Sequence, residues 1–341
     1  MLKSNKNHAY IIAEIGQNHQ GKIELAEQYI RDFSFKGADA IKFQKRDMKS
    51  LFSEKKLQEN YNSENAFART YGKHREYLEF NIEEMAYLKG ICDEVDVDFM
   101  CTAFDNVSLN ELINIDCNFI KLASFDMGNL NLIEKALDTG KKVVLSSGGS
   151  NLQILNLTYD YFKDHKNIYS LLYCVSKYPC TENELDINQI NNYKNLFPKC
   201  QIGLSDHFSG PLSGPVGLCS GAEIFEKHVT FNRSWKGTDH SFALSPTGFE
   251  KFVKDINRAG SMLSAEIDNS ELGDEPVFKK LGKTLVAAKS IKTSEDFNTK
   301  NLTGKITTDG SGLPVRNMVY IIDQKATRDY KKGDIIDEII G

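Results

Sequence analysis

Two lysines, Lys42 and Lys121, stand inside the apolar runs AIKFQK and FIKLASF, where an unpaired ammonium group is costly to bury. Each must therefore face an anion or a carboxylate. Two histidines, His207 and His228, close the runs QIGLSDH and EIFEKHVT. Neutral imidazoles at neighbouring positions suit a divalent ion such as manganese, magnesium or cobalt, and two ligands leave positions open for a substrate carbonyl oxygen. The hydroxyls of Thr102, Ser124, Ser146 and Ser205 can join the lysines in a cradle for phosphate and carboxylate groups, with Ser176 and Tyr178 close behind the run SLLYCV. Glu14, Asp126 and Asp239 can accept sugar hydroxyls or handle protons, and Gln44 follows Lys42 by two. Taken singly, each has a plainer reading: an ion pair for a lysine, a backbone hydrogen bond for a hydroxyl, a helix cap or salt bridge for Asp126, a core hydrogen bond for a histidine. His240, in GTDHS, reads equally as a support behind the site or as a surface residue.

What must position these groups is a set of eight short β-rich runs, at 10–16, 40–45, 98–104, 119–125, 143–149, 170–175, 201–207 and 223–230. Most are continuously apolar, as strands covered on both faces should be, and helical patterns between them make parallel crossovers the simplest topology. The α/β fold class follows, and the repeat predicts a (β/α)8 TIM barrel; a doubly wound sheet would show the same alternation. In a barrel the polar residues at these strand ends converge on one mouth. Asn81 with Glu84, and Ser108 with Glu111, fit capping boxes; Gly37 and Gly140 fit helix ends, and Ser245-Pro246 a helix start. Composition changes after about residue 268, which predicts a barrel domain over 1–268, a linker over 269–282 and a small β-rich domain over 283–341. Within that domain AAKSIKTSEDFNTKNL and YIIDQKATRDYKKGDII share a strand, turn and strand pattern.

The 341 residues carry 42 lysines and arginines against 47 acidic residues, a net charge of −5 with no basic run, so nothing favours a nucleic-acid or anionic-membrane partner. A small-molecule ligand is expected. Seven scattered cysteines without C-x-x-C spacing disfavour a disulfide framework or thiolate zinc site and point to a reducing compartment. The polar start MLKSNKNHAY and the lack of any apolar stretch near roughly 18 residues lead us to expect a cytoplasmic protein.

At these same residues the chain resembles the sialic acid synthase family. IIAEIGQNHQG, KFQK, KLASFD, LSSGG, YCVSKYP, GLSDH, FEKHVT and WKGTDHSFALSP stand in the family's order over nearly the whole chain. The resemblance implies a transferase that condenses phosphoenolpyruvate with N-acetylmannosamine or its 6-phosphate, releasing phosphate and forming sialic acid or its 9-phosphate. It also implies that the last domain is antifreeze-like (SAF) and that the protein is a domain-swapped homodimer. By the same resemblance Lys42, Thr102, Lys121, Ser124, Ser146, Ser176 and Ser205 bind phosphoenolpyruvate, His207 and His228 bind the metal, and Glu14, Gln44, Tyr178 and Asp239 bind the sugar, with Glu14 and Asp126 as proton handlers. There are departures. Asp126 stands where the family often has glutamate, Ser176 where some bacterial members have asparagine, and GKITTDGSGLP, with Thr307 and Thr308, lacks an arginine that bacterial free-sugar enzymes carry. TYGKHREYLEF, WKGTDHS and LGKTLVA resemble the animal-type enzymes that use the 6-phosphate. Arg69, Lys73, His74 and Arg75 can supply charge for such a phosphate, or simply form an exposed charged loop. A synthase for a related sugar such as legionaminic acid, a metal-dependent hydrolase or isomerase, and a non-catalytic carbohydrate- or ice-binding protein are the competing readings.

Overall fold

Side chains alternate faces along a strand, so a strand covered on both sides must satisfy two different surroundings. Here β1 (Tyr10–Gly16), β2 (Ala40–Lys45), β3 (Asp98–Ala103), β4 (Phe119–Leu122), β5 (Lys142–Ser146), β6 (Ile168–Cys174), β7 (Gln201–Asp206) and β8 (Ile224–His228) pair in sequence order, and β8 returns to β1. Every pairing is parallel, and the barrel is closed. The doubly wound alternative is thereby excluded. This is a computed structural model, and it describes residues 9–266, 273, 275–308 and 311–337.

Ile11, Ala13 and Ile15 of β1 pack into the large core between strands and helices, whereas Tyr10 and Ile12 join Ala40, Met100, Phe119, Val144, Leu172 and Ile224 in a separate cluster inside the barrel. That inner cluster is the floor beneath the mouth. Gly203 takes the β7 place between its neighbours, because a Cβ there would come within 2.5 Å of both Leu172 Cδ2 and Ile224 O. Burying a large aliphatic or aromatic side chain in this way contributes about 1.5–3 kcal/mol.

The helices follow their local signals. The helix Ile82–Glu94 opens on the full Asn81–Glu84 capping box, and Ser245 caps the helix Pro246–Leu263, which buries Phe249, Phe252, Val253 and Ile256 at helical spacing. Gly37 and Gly140 leave helices with φ of +96° and +76°, a region that favours glycine. The second capping box does not form. Asp105 caps the helix Asn106–Asn114 instead, accepting from the Ser108 N–H and hydroxyl, and Glu111 pairs with Lys45 at 3.2 Å. A carboxylate three residues earlier outcompeted the serine as the cap.

The chain divides after Ala265 into two units. The stretch taken as a linker, 269–282, falls partly outside the described residues, and its described end is a helix, Pro276–Leu281. In the second unit β9 (Thr284–Ala287) and β10 (Leu302–Lys305) pair antiparallel over a core that includes Leu285, Ile291, Phe297, Leu302, Ile321, Tyr330 and Ile336. Its two similar stretches meet through bridges Ile291–Tyr330 and Asp296–Lys325. No helix among the described residues is long and apolar enough to cross a membrane.

Candidate active site

One step of two residues beyond the floor, each strand presents its next inward side chain: Glu14, Lys42, Thr102, Lys121, Ser146, Cys174, Ser205 and Glu226. All eight line a single cavity of about 600 Å³ at the barrel mouth, together with Gln44, His207 and His228. The cavity therefore exists because an apolar layer closes the barrel below and a polar layer replaces it above.

Lys42 Nζ lies 2.8 Å from Glu14 Oε2, 3.1 Å from Thr102 Oγ1 and 3.6 Å from Glu226 Oε2. Lys121 Nζ lies 3.6 Å from that same Glu226 oxygen, and Ser205 donates to the other at 3.0 Å. The two contacts at 3.6 Å are ion pairs too long to be good hydrogen bonds. Glu226 Oε2 and Ser146 Oγ are buried without a hydrogen-bond partner among the described residues. Ammonium donors and a hydroxyl thus remain available to a tightly bound anion.

The two carboxylates titrate apart. Burial raises Glu14, and the neighbouring Glu226 adds to this against the pull of Lys42. Burial acts on Glu226 as well, but Lys121 and Lys42 outweigh it and hold that carboxyl below its ordinary value. Lys121 is pulled down by burial despite Glu226. Two carboxyls shifted in opposite directions within one layer are the arrangement that separates acid/base from electrostatic work.

His207 Nδ1 is 2.9 Å from the carbonyl of Val175, which can only accept, so Nδ1 carries a proton; burial pulls the ring down, but the hydrogen bond and charge of Cys174 and the Val175 carbonyl raise it above its ordinary value. His228 is pushed down to about 3, chiefly by burial, and is therefore neutral; its Nδ1 is buried without a hydrogen-bond partner, 3.8 Å from Asp239 Oδ2. The two rings lie 5.4 Å apart, with Tyr178 packed against His207 at 4.0 Å. No group of three or more His, Cys, Asp or Glu suited to a metal occurs among the described residues. Two imidazoles, each with a nitrogen not spent on the described protein, fit an open site completed by substrate or water rather than a closed structural one.

Of the site residues expected from sequence, thirteen line the cavity: the polar layer's Glu14, Lys42, Thr102, Lys121, Ser146 and Ser205, together with Gln44, Ser124, Asp126, Tyr178, His207, His228 and Asp239. Ser176 is not among the lining residues; its hydroxyl lies 4.0 Å from Sγ of Cys174, which is. Asp126 accepts from Asn129 at 2.9 Å, and burial raises it. His240 is buried outside the cavity, its Nδ1 2.7 Å from Thr230 Oγ1. Among the charged-loop residues only Arg75 reaches the cavity: Lys73 pairs with Glu76 in solvent, His74 is buried and accepts from the Phe67 N–H, and Arg69 does not line it. Thr307 meets Thr284 within the second unit.

Sequence reading missed Glu226, Cys174, Gln17 and Arg46. Counting by twos from the floor residues Leu172 and Ile224 would have found the first two; nothing local marks Gln17 or Arg46. Also missed was the buried pair Lys227–Asp206, 2.5 Å apart, which ties β7 to β8 just behind the two histidines.

The NeuB family matches residues 29–268, most of the barrel. The chain belongs to the NeuB family. Among its relatives the mouse N-acetylneuraminate-9-phosphate synthase is 30% identical, covering 98% of this chain and 92% of the mouse protein. The N,N'-diacetyllegionaminic acid synthase of Campylobacter jejuni is 28% identical over 96% of this chain and 98% of its own. The crystal structure of the N-acetylneuraminic acid synthetase of Leptospira borgpetersenii superposes with a TM-score of 0.69 at 31% identity, covering 78% of this chain and 90% of that one. The resemblance read from the motifs is thus to the right family, and this NeuB chain carries its barrel.

Proposed function

We propose that this protein condenses phosphoenolpyruvate with N-acetylmannosamine or its 6-phosphate, forming a sialic acid or its 9-phosphate and releasing phosphate. The observation that carries the reading is the buried layer in which two lysines and several hydroxyls face one cavity beside two histidines. A hydrolase or isomerase would use the histidines and leave Lys42 and Lys121 without a task.

Lys42, Thr102, Lys121, Ser124, Ser146 and Ser205 hold the phosphate and carboxylate of phosphoenolpyruvate, and the lysines offset the charge of the phosphate that later leaves. Gln44, Tyr178 and Asp239 hold the open-chain sugar with its aldehyde against the methylene carbon. That carbon bonds to the aldehyde carbon, the aldehyde oxygen takes a proton, water adds to the resulting oxocarbenium carbon, and loss of phosphate leaves a 2-keto acid. Glu14, raised by burial, is placed to relay a proton to the aldehyde oxygen. His207 and His228 would hold a divalent ion, manganese in our reading, which supplies Lewis acidity to the aldehyde oxygen when bound. We further read the protein as a cytoplasmic homodimer whose residues 283–341 form an antifreeze-like domain, which light scattering of the full chain tests.

The test is phosphate release by the purified protein with manganese and phosphoenolpyruvate, offering the free sugar and its 6-phosphate separately and identifying products by mass spectrometry. Release that requires both substrates is expected. Release with neither sugar removes the reading, and turnover only of a legionaminic-type precursor reassigns the product.

A further inference from the structure

The cavity has a second cationic region, at its outer wall. Arg46 is buried there, stacked 3.9 Å over the Phe104 ring; its Nη1 donates to Glu79 Oε1 at 3.0 Å and its Nη2 to Gln44 Oε1 at 2.5 Å. Arg75, on the helix Tyr71–Leu78, lines the same cavity. Its Nε donates to Tyr71 Oη at 3.0 Å and its Nη1 to Gln17 Oε1 at 2.6 Å, both neutral acceptors.

Charge is out of balance at this wall. Glu79 is the carboxylate paired with Arg46, and Arg75 has no carboxylate partner among the described residues. Two guanidinium groups thus share one carboxylate. Burial and then the like charge of Arg75 press Arg46 down even with Glu79 beside it. Arg75 has donors to spare, since a guanidinium offers five N–H groups and two are used. A dianionic group bound here would relieve the repulsion and take up a bidentate edge.

The wall is also wired to the reaction layer. Gln44 donates to Glu14 at 2.7 Å while accepting from Arg46, and Glu14 in turn pairs with Lys42. On the other side Gln17 donates weakly to Glu79 at 3.4 Å while accepting from Arg75.

We propose that Arg75, backed by Arg46, is the subsite for a phosphomonoester on the acceptor sugar, at the end of that sugar remote from its aldehyde. The inference rests on the synthase reading of the cavity and makes the phosphosugar the preferred acceptor. Lys42 and Lys121 take one phosphate and Arg75 the other, so one cavity holds two phosphorylated substrates without competition between them.

The full-length protein, with manganese and phosphoenolpyruvate, is assayed with N-acetylmannosamine and with its 6-phosphate, as wild type, Arg75→Gln, Arg75→Lys and Lys73→Gln. Wild type favours the phosphosugar in kcat/KM, and Arg75→Gln lowers the ratio of phosphosugar to free-sugar kcat/KM by about 10- to 100-fold, through KM, as loss of a charged hydrogen bond predicts. Arg75→Lys keeps part of the ratio, which separates lost charge from lost fold, and Lys73→Gln keeps all of it. An unchanged ratio in Arg75→Gln overturns the subsite, as does a fall in phosphoenolpyruvate affinity without a change in the ratio. Should neither sugar turn over, calorimetric binding of the phosphosugar decides. Weaker binding by Arg75→Gln keeps the subsite and removes the synthase reading, and equal binding overturns the subsite.

Discussion

The barrel and the small second unit solve the same problem, burying a core, in opposite ways. The barrel hides four charged side chains of one layer, Glu14, Lys42, Lys121 and Glu226, at exposures of 1–4%. The second unit buries Leu285, Ile291, Phe297, Leu302 and Ile336, and among its described residues the polar ones buried with them are Thr284 and Asn301, both uncharged. Its ionic contacts, such as Lys292–Asp329 and Arg328–Asp337, are on the surface. Buried charge costs folding energy that a well-packed apolar layer would not. A fold that has such a layer directly below, from Tyr10 to Ile224, and still carries charge above it does so for something other than stability.

The contrast is sharpest at the histidines. His207→Ala and His228→Ala should each lose essentially all bound manganese, read by metal analysis of the purified variants; full occupancy in both would remove the ligand assignment. Next comes Glu226→Gln, which strips the carboxylate from between two buried lysines and should destabilise the barrel by about 3 kcal/mol in denaturant unfolding. Phosphoenolpyruvate should recover part of that loss; a variant as stable as wild type would mean the lysines are discharged or hydrated and the layer is not under electrostatic load.

Lys121→Ala should weaken phosphoenolpyruvate binding by about 10- to 100-fold with the fold intact, and unchanged calorimetric affinity would contradict its role. In the second unit Asn301→Ala should cost about 1–2 kcal/mol, because the Asn301 side chain accepts from the Asn298 N–H at 2.7 Å and donates to the Asp296 carbonyl at 2.9 Å with no solvent to replace them. Its effect should stay within local exchange protection and leave metal binding untouched. The smallest change belongs to Asp329, held down to about 2 by Lys292 and by the Thr293 N–H and hydroxyl. A depressed carboxyl adds stability above its unfolded value near 4 and loses it as pH falls through about 2. Asp329→Asn should therefore flatten the acid dependence of the melting temperature in that window only slightly, since the pair is in solvent.

Strand existence and order were legible in the residues, because continuous apolar runs such as YIIAEIG and FIKLASF can be satisfied only when covered on both faces. The thirteen cavity residues were legible for a related reason: polar groups at the ends of such runs have no other exit. Ser176 follows its strand closely in sequence, and its hydroxyl lies 4.0 Å from the sulfur of the cavity residue Cys174. Glu226 was hidden by its neighbours in FEKHVT, where lysine, histidine and glutamate stand together and only the two-residue alternation says which face the barrel interior.

Local physics, then, decides the strand–helix alternation, the caps at Asn81 and Ser245, and the chemical types available at each strand end. Closure of β8 on β1 decides the rest, since it brings residue 14 beside residue 228 and turns eight separate side chains into one layer. Arg46, Gln17 and Arg75 become one wall in the same way, through contacts spanning up to 62 residues. Contacts of that range depend on how the whole chain packs, and no short stretch of residues encodes them.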